Sequence, residues 1–195
     1  MSQSVKKNLF YYKLYKPYGY LCQFTGESSD LLLGDLFNFP KDVYSVGRLD
    51  KDSEGLLILT NDNHFKSRLL SPSSNKWKVY WVQVEGVINQ KAIDSLTNGS
   101  IKIKHKGREH IVSKAKCNII SNPNIEERVP PVRIRKSIPT SWIELHISEG
   151  KNRQVRKMTA AVGFPTLRLI RYSVDQITLE GMLPEEVLPF LPINL

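Results

Sequence analysis

Apolar residues alternate with polar ones, or run on for a few positions, in six stretches of the chain: 9–15 (LFYYKLY), 55–60 (GLLILT), 78–85 (KVYWVQVE), 111–119, 141–147 (SWIELHI) and 166–174. A period of two sends successive side chains to opposite faces of an extended backbone, so these six are predicted strands. Helical spacing is rarer and covers 28–37, 62–70, 89–97 (NQKAIDSLT) and 152–162 (NRQVRKMTAAV). In the last of these Val155, Met158 and Val162 share a face, and Gly163 with Pro165 beyond it supplies a stop. Asn98-Gly99 is a turn signal, and residues 121–139, with prolines at 123, 130, 131 and 139, read as an irregular excursion. Strands outnumber helices and connections are short, which predicts an α+β fold built on a largely antiparallel sheet with flanking helices. No repeat, heptad or Gly/Ser linker divides the chain, so residues 1–195 are expected to form a single domain, whether in one lobe or two.

Composition narrows the class. A chain of 195 residues that is 41% hydrophobic and 24% charged is neither disordered nor fibrous. Two cysteines, Cys22 and Cys117, are too few for a disulfide framework and are expected as free thiols of a reducing, cytoplasmic compartment. The N-terminal residues MSQSVKKNLFYYK carry charge without a following apolar region, and no run of about 18 apolar residues occurs, so neither export nor a membrane span is expected. No oligomerisation signal stands out, and a monomer is the default.

The formal charge of +9 is unevenly spread. Residues 99–171 hold 16 Lys and Arg against 5 Glu, a net of +11, and the remainder nets −2. The cations come in clusters: Lys102 to Arg108, then Arg133, Arg135 and Lys136, then Lys151, Arg153, Arg156 and Lys157, then Arg168 and Arg171. One such cluster is the ordinary solvated face of a strand or helix. Four in one segment suit a polyanion, because phosphate contacts need cations distributed along a surface.

Three stretches are candidates for chemistry. In 45–62, SVGRLDKDSEGLLILTND, a polar turn with Arg48, Asp50, Asp52 and Glu54 precedes an apolar strand, an arrangement that holds a loop carboxylate rigidly. Three readings of it remain open at this level. Asp50 and Asp52 are turn and capping residues; or Asp50, Asp52, Asp62 and His64 hold magnesium; or Asp50 is a nucleophile or base kept ionised by an arginine. In 149–158, EGKNRQVRKM, four cations crowd the start of a helix, which suits a phosphate and equally suits a wet amphipathic face. In KVYWVQVE, Tyr80, Val82 and Val84 share a face, the usual pattern of a core tyrosine.

Taken together and in order, Lys16-Pro17, GRLDKDSEGLLILTND at 47–62, KVYWVQVEG at 78–86 and EGKNRQVRKMTAAVGFPTLRLIR at 149–171 resemble the motif set of the RsuA-type ribosomal RNA pseudouridine synthases. The resemblance runs from about residue 10 to about residue 180. Gln23-Phe24-Thr25 and the run from Arg135 to Trp142 point to the branch acting on large-subunit ribosomal RNA. Most relatives carry an S4-type RNA-binding domain before the Lys-Pro motif; Lys16 arrives too early here for one to be expected. Asn63-His64 departs from the glycine that commonly follows Thr-Asn-Asp in relatives.

The resemblance implies a mixed sheet with a central cleft, and an isomerase that needs neither cofactor nor metal. By residue-wise match, Asp50 is the expected nucleophile, Arg156 the cation paired with it, and Tyr80 the ring that stacks on uracil. A target uridine inside paired RNA must be flipped out. Arg48 is then the candidate to fill its place. Arg133, Arg135, Lys136, Lys151, Arg153 and Lys157 are the expected backbone contacts to the partner, ribosomal RNA free or in a pre-ribosomal particle.

Overall fold

The computed structural model describes residues 8–71 and 76–192. Its frame is a nine-stranded sheet. Along the main path the order is β13 (Val187–Pro189), β1 (Tyr11–Lys16), β5 (Glu54–Thr60), β11 (Thr166–Val174), β6 (Lys78–Glu85), β10 (Thr140–Ile147) and β9 (Lys116–Ile120). Beside it, β4 (Tyr44–Ser45) pairs with β5 and β12 (Ile177–Thr178) with β11. Every pairing in this sheet is antiparallel except β5 with β11, which meet in parallel at Ile170 opposite Glu54 and Arg171 opposite Gly55. The expected α+β class and mostly antiparallel sheet are thus present.

The parallel joint depends on one glycine. Gly55 has φ +109°, and a Cβ there would lie 2.4 Å from the Arg171 carbonyl oxygen and 2.5 Å from its nitrogen. Only a residue without a side chain lets the two backbones approach so closely.

Strand periodicity is realised as packing. Leu56 and Ile58 of β5 enter a core with Ile170, Trp142 and Phe65, while Leu57 and Leu59 enter another with Leu14, Leu33 and Val43. Tyr80, Val82 and Val84 of β6 join Ile143 and Leu145 of β10 in a third, closed by α3 (Gln90–Thr97) through Ile93 and Leu96 and by α4 (Gln154–Ala161) through Val155 and Met158. Asn89 caps α3 by accepting from the Ala92 amide, and Asp62 caps α2 (Asn63–Leu70) by accepting from His64 and Phe65.

Two expectations are corrected. The helix read over 28–37 shrinks to one turn, α1 (Leu33–Leu36), after the short strand β3 (Leu31–Leu32), which pairs with β2 (Tyr20–Leu21). Of its leucines only Leu33 is fully buried while Leu31 is exposed, and Phe37 is already extended. The strand read over 111–119 is two strands. Residue 111 ends β8 (Arg108–Ile111), which forms a hairpin with β7 (Lys102–His105), and β9 begins afresh at Lys116. The hairpin turns on Lys106 and Gly107, both with positive φ (49° and 77°), the backbone that a two-residue hairpin loop requires. Both cysteines are free and buried, and among the described residues no helix is long and apolar enough to cross a membrane.

Candidate active site

A cleft of about 1150 Å³ draws its walls from all three cores: Tyr80, Val155 and Leu169 from one, Val46 and Ile58 from another, Cys22 and Leu49 from the last. Into it project Arg48, Asp50 and Asp52 from the turn before β5, and Lys151 and Arg153 from the turn before α4. Asp52 and Arg153, 101 positions apart in sequence, are brought together because β5 and β11 adjoin and α4 leads directly into β11.

The carboxylate turn is braced from one side. The Cys22 thiol accepts from the Leu49 amide at 3.2 Å and donates to the Leu49 carbonyl at 3.4 Å, one residue before Asp50. Gly19 N–H donates to the Lys51 carbonyl at 2.9 Å, Asp30 holds Lys51 at 3.3 Å, and Ser53 N–H closes the turn onto the Asp50 carbonyl at 3.0 Å. Arg48 at the rim donates to Gln23 Oε1 at 3.3 Å. Beneath the turn lies Lys16, fully buried, its ammonium donating to the carbonyls of Pro17 and Tyr20, both at 2.8 Å. Burial pulls its pKa from 10.5 down to about 8, partly opposed by Cys22, Glu54, Asp52 and Asp50.

The cations arrive on strained backbone. Arg153 precedes α4 in the left-handed region, φ 52° and ψ 33°, a conformation costing a non-glycine residue about 1–2 kcal/mol. That conformation aims its guanidinium at the turn opposite, where it donates twice to Asp52 (2.9 and 2.8 Å) and lies 3.7 Å from Asp50 Oδ2. Arg156 donates to the Asp52 carbonyl at 2.6 Å, with its Nε 3.4 Å from the Asp52 carboxylate. Burial works to raise the Asp52 pKa, but the hydrogen bond from Arg153 and the charges of both arginines overcome it and hold it below the ordinary value. The same hydrogen bond raises Arg153, while burial lowers Arg156.

The expected pairing of Arg156 with Asp50 therefore takes another form. Arg156 binds Asp52, and Arg153 is the cation beside Asp50. Asp52, read as an ordinary turn residue in one alternative, is the clasp between the two sides. The magnesium alternative is not assembled: Asp62 is taken by the cap of α2 and by the Tyr11 hydroxyl at 2.7 Å, and among the described residues no three acids, histidines or cysteines are grouped to hold a metal.

The other expected residues divide. Tyr80 is buried, with 8% exposure, and lines the cleft with Lys151. Lys157 lies off it, donating to the Lys104 carbonyl at 2.7 Å and so tying α4 to the β7–β8 hairpin. Arg133, Arg135 and Lys136 stand exposed on the excursion, with Arg135 3.5 Å from Glu85. Sequence reasoning passed over Glu149, whose carboxylate accepts from Ser113 N–H and Gln154 Nε2 and bonds His110, holding the hairpin to the turn before α4. It also passed over the buried pair Glu54–Arg168, at 2.7 Å. An acid opening the apolar run GLLIL was the available signal for Glu54.

One carboxylate turn thus faces an arginine-rich helix start across a cleft, and the comparisons place this arrangement among the RNA-modifying isomerases. The chain belongs to the RNA pseudouridylate synthase family, whose profile matches residues 11–161. It is thus an RNA pseudouridine synthase, as its RsuA-type motifs lead one to expect. "Ribosomal large subunit pseudouridine synthase E" of Vibrio parahaemolyticus is 47% identical over 169 residues, covering 87% of this chain and 68% of that protein. The protein of the same name from Xanthomonas campestris is 43% identical, covering 88% and 90%. Among solved structures, a pseudouridylate synthase crystal structure superposes with a TM-score of 0.75 at 26% identity, covering 94% of this chain and 71% of that one.

Proposed function

We propose that this enzyme isomerises one uridine of large-subunit ribosomal RNA, free or within a pre-ribosomal particle, with Asp50 as the reacting carboxylate. The observation that carries the assignment is the position of Asp50. It sits in the cleft on a braced turn, beside Arg153. The relatives named for large-subunit ribosomal RNA support the substrate, as does the +11 segment of residues 99–171.

The reaction breaks the N1–C1′ bond, turns the uracil and forms a C5–C1′ bond; C5 gives up a proton and N1 gains one, so nothing else is consumed. Asp50 is the group at the sugar–base junction, with the Arg153 guanidinium 3.7 Å from its carboxylate. Tyr80 offers a ring for the uracil and a hydroxyl for proton transfer. Arg48, held by Gln23 at the rim, fills the space the flipped base leaves. Arg156 acts on the site through Asp52. Lys151 and Arg153 from the cleft, and Lys157, Arg133, Arg135 and Lys136 outside it, contact the RNA backbone.

The test is incubation with unmodified large-subunit ribosomal RNA, in chelator, with pseudouridine mapped by carbodiimide modification and primer extension. Wild type is expected to modify one uridine and Asp50→Ala none. No product in any ribosomal RNA context defeats the reading, full activity of Asp50→Ala removes that residue from its role, and activity lost on chelation revives the magnesium alternative.

A further inference from the structure

The excursion between β9 and β10 has neither helix nor strand, so its place depends on a few anchors. At its incoming end Ile125 packs on a core, and Arg168 Nη1 donates to the Glu126 carbonyl at 2.9 Å. The rest of that guanidinium grips Glu54, the residue that opens β5 four positions after Asp50. At its outgoing end the Pro139 carbonyl accepts from Gly86 N–H at 2.7 Å. The segment is thereby fixed both to the strand that follows the catalytic turn and to the end of β6.

Between the anchors Arg128 sits over Tyr18, its guanidinium carbon 4.1 Å from the ring centroid. Its Nε and Nη2 donate to the carbonyls of Pro130 (2.8 Å) and Pro131 (2.9 Å), which fixes the plane. Tyr18 lines the cleft that holds Asp50, and its charge environment includes Arg156. Among the described residues no carboxylate pairs with Arg128, Arg133 or Lys136. The neighbouring Val129 is 84% exposed.

Were Arg128 only glue for the segment, an apolar side chain on Tyr18 would serve without a cation. What the chain builds at the cleft rim is a planar cation over an aromatic ring, with no carboxylate paired to it among the described residues and an exposed apolar residue beside it. Flipped and unpaired RNA bases stack on guanidinium planes and aromatic rings of this kind, and the charge meets the adjacent phosphate. We propose that residues 121–139 form an RNA-docking arm, and that the Arg128–Tyr18 stack is a subsite for the unpaired nucleotide next to the target uridine. This rests on the pseudouridine synthase reading of the Asp50 cleft.

Once the target is mapped, steady-state kinetics on a ribosomal RNA fragment would compare wild type, Arg128→Ala and Arg128→Lys, each with its thermal midpoint. Arg128→Ala is expected to raise KM about 5- to 150-fold, the range for removal of one base–side-chain stack, with kcat at saturating RNA and the midpoint held. Arg128→Lys keeps the charge without the plane and is expected to recover only part of the KM. With 2-aminopurine beside the target, wild type is expected to quench its fluorescence on binding and Arg128→Ala not to. An unchanged KM and quench overturn the subsite, as does a fall in kcat at constant KM. Absence of pseudouridine from the wild type is a separate failure, that of the underlying function.

Discussion

Arg153 concentrates a conflict between stability and function in one residue. Its left-handed backbone is unfavourable for any side chain, and the conformation persists because the guanidinium reaches Asp52 and Asp50 across the cleft. Glycine there relieves the strain of about 1–2 kcal/mol and gives up a partly exposed ion pair worth about 0–1 kcal/mol. Arg153→Gly is therefore expected to leave the thermal midpoint near that of the wild type while activity falls by about tenfold or more, since positioned charge matters most in the transition state. Calorimetry beside a tritium-release assay checks both halves; a large drop in stability with activity intact reverses the argument. Only the geometry separates the duties of Arg153 and Arg156. In sequence both are arginines at the start of one helix, and nothing local reveals which of them has positive φ.

Lys16 gives a pH signature. Its folded pKa of about 8 lies below the ordinary 10.5, so between those values the unfolded chain binds more protons and stability rises with pH. Below about 8 both states hold the proton and the contribution is flat. Cys117, pushed up from 9.0 to about 12 by burial, works in the opposite sense above pH 9, so the window from 8 to 9 is the informative one. Urea midpoints of wild type should carry an upward component there that Lys16→Met lacks; parallel curves for the two proteins would show that Lys16 titrates normally.

At the level of elements, the joint between β5 and β11 is the most exacting. Gly55→Ala would drive a Cβ into the Arg171 backbone, beside the buried Glu54–Arg168 pair. A cost of about 3 kcal/mol or more is expected, from steric overlap added to an unfavourable φ. Denaturant unfolding measures it, and a cost under about 1 kcal/mol would mean the strands part freely. Strands with a clear period of two were legible in the sequence: 78–85 and 166–174 match β6 and β11 end to end. The β7–β8 hairpin was not, because Lys106-Gly107 lacks the Asn or Asp that usually announces a turn with positive φ. One-turn α1 was overread because leucine spacing looks helical wherever several leucines crowd together.

Across the whole molecule, charge and chemistry are divided between two stretches of chain. Residues 8–71 supply Asp50 and Asp52, and the basic stretch supplies Arg153 and Arg156. Neutralising Arg133, Arg135 and Lys136 together is expected to weaken RNA binding and flatten its dependence on log salt by about 0.7 for each phosphate no longer neutralised, without moving the thermal midpoint. Filter binding from about 50 to about 300 mM salt reads this directly, and an unchanged slope would route the RNA elsewhere. The uneven charge was visible in sequence; its division into cleft residues, a hairpin tied to α4 and a proline-rich arm depends on long-range packing that no local pattern encodes.

The closing strand β13 adds a dimension of time. Tyr12, Lys13 and Leu14 pair with Pro189, Leu188 and Val187, so the first strand of the sheet waits for nearly the last residues described. The carboxylate turn leaves the ribosome about a hundred residues before Arg153, and the parallel joint that sets the two face to face needs β11 as well. Pairings this distant make folding slow, on the order of milliseconds to seconds. A nascent chain on its own ribosome thus carries the acid long before it can form the cleft, and an enzyme directed at ribosomal RNA has no assembled site until β11 has been made.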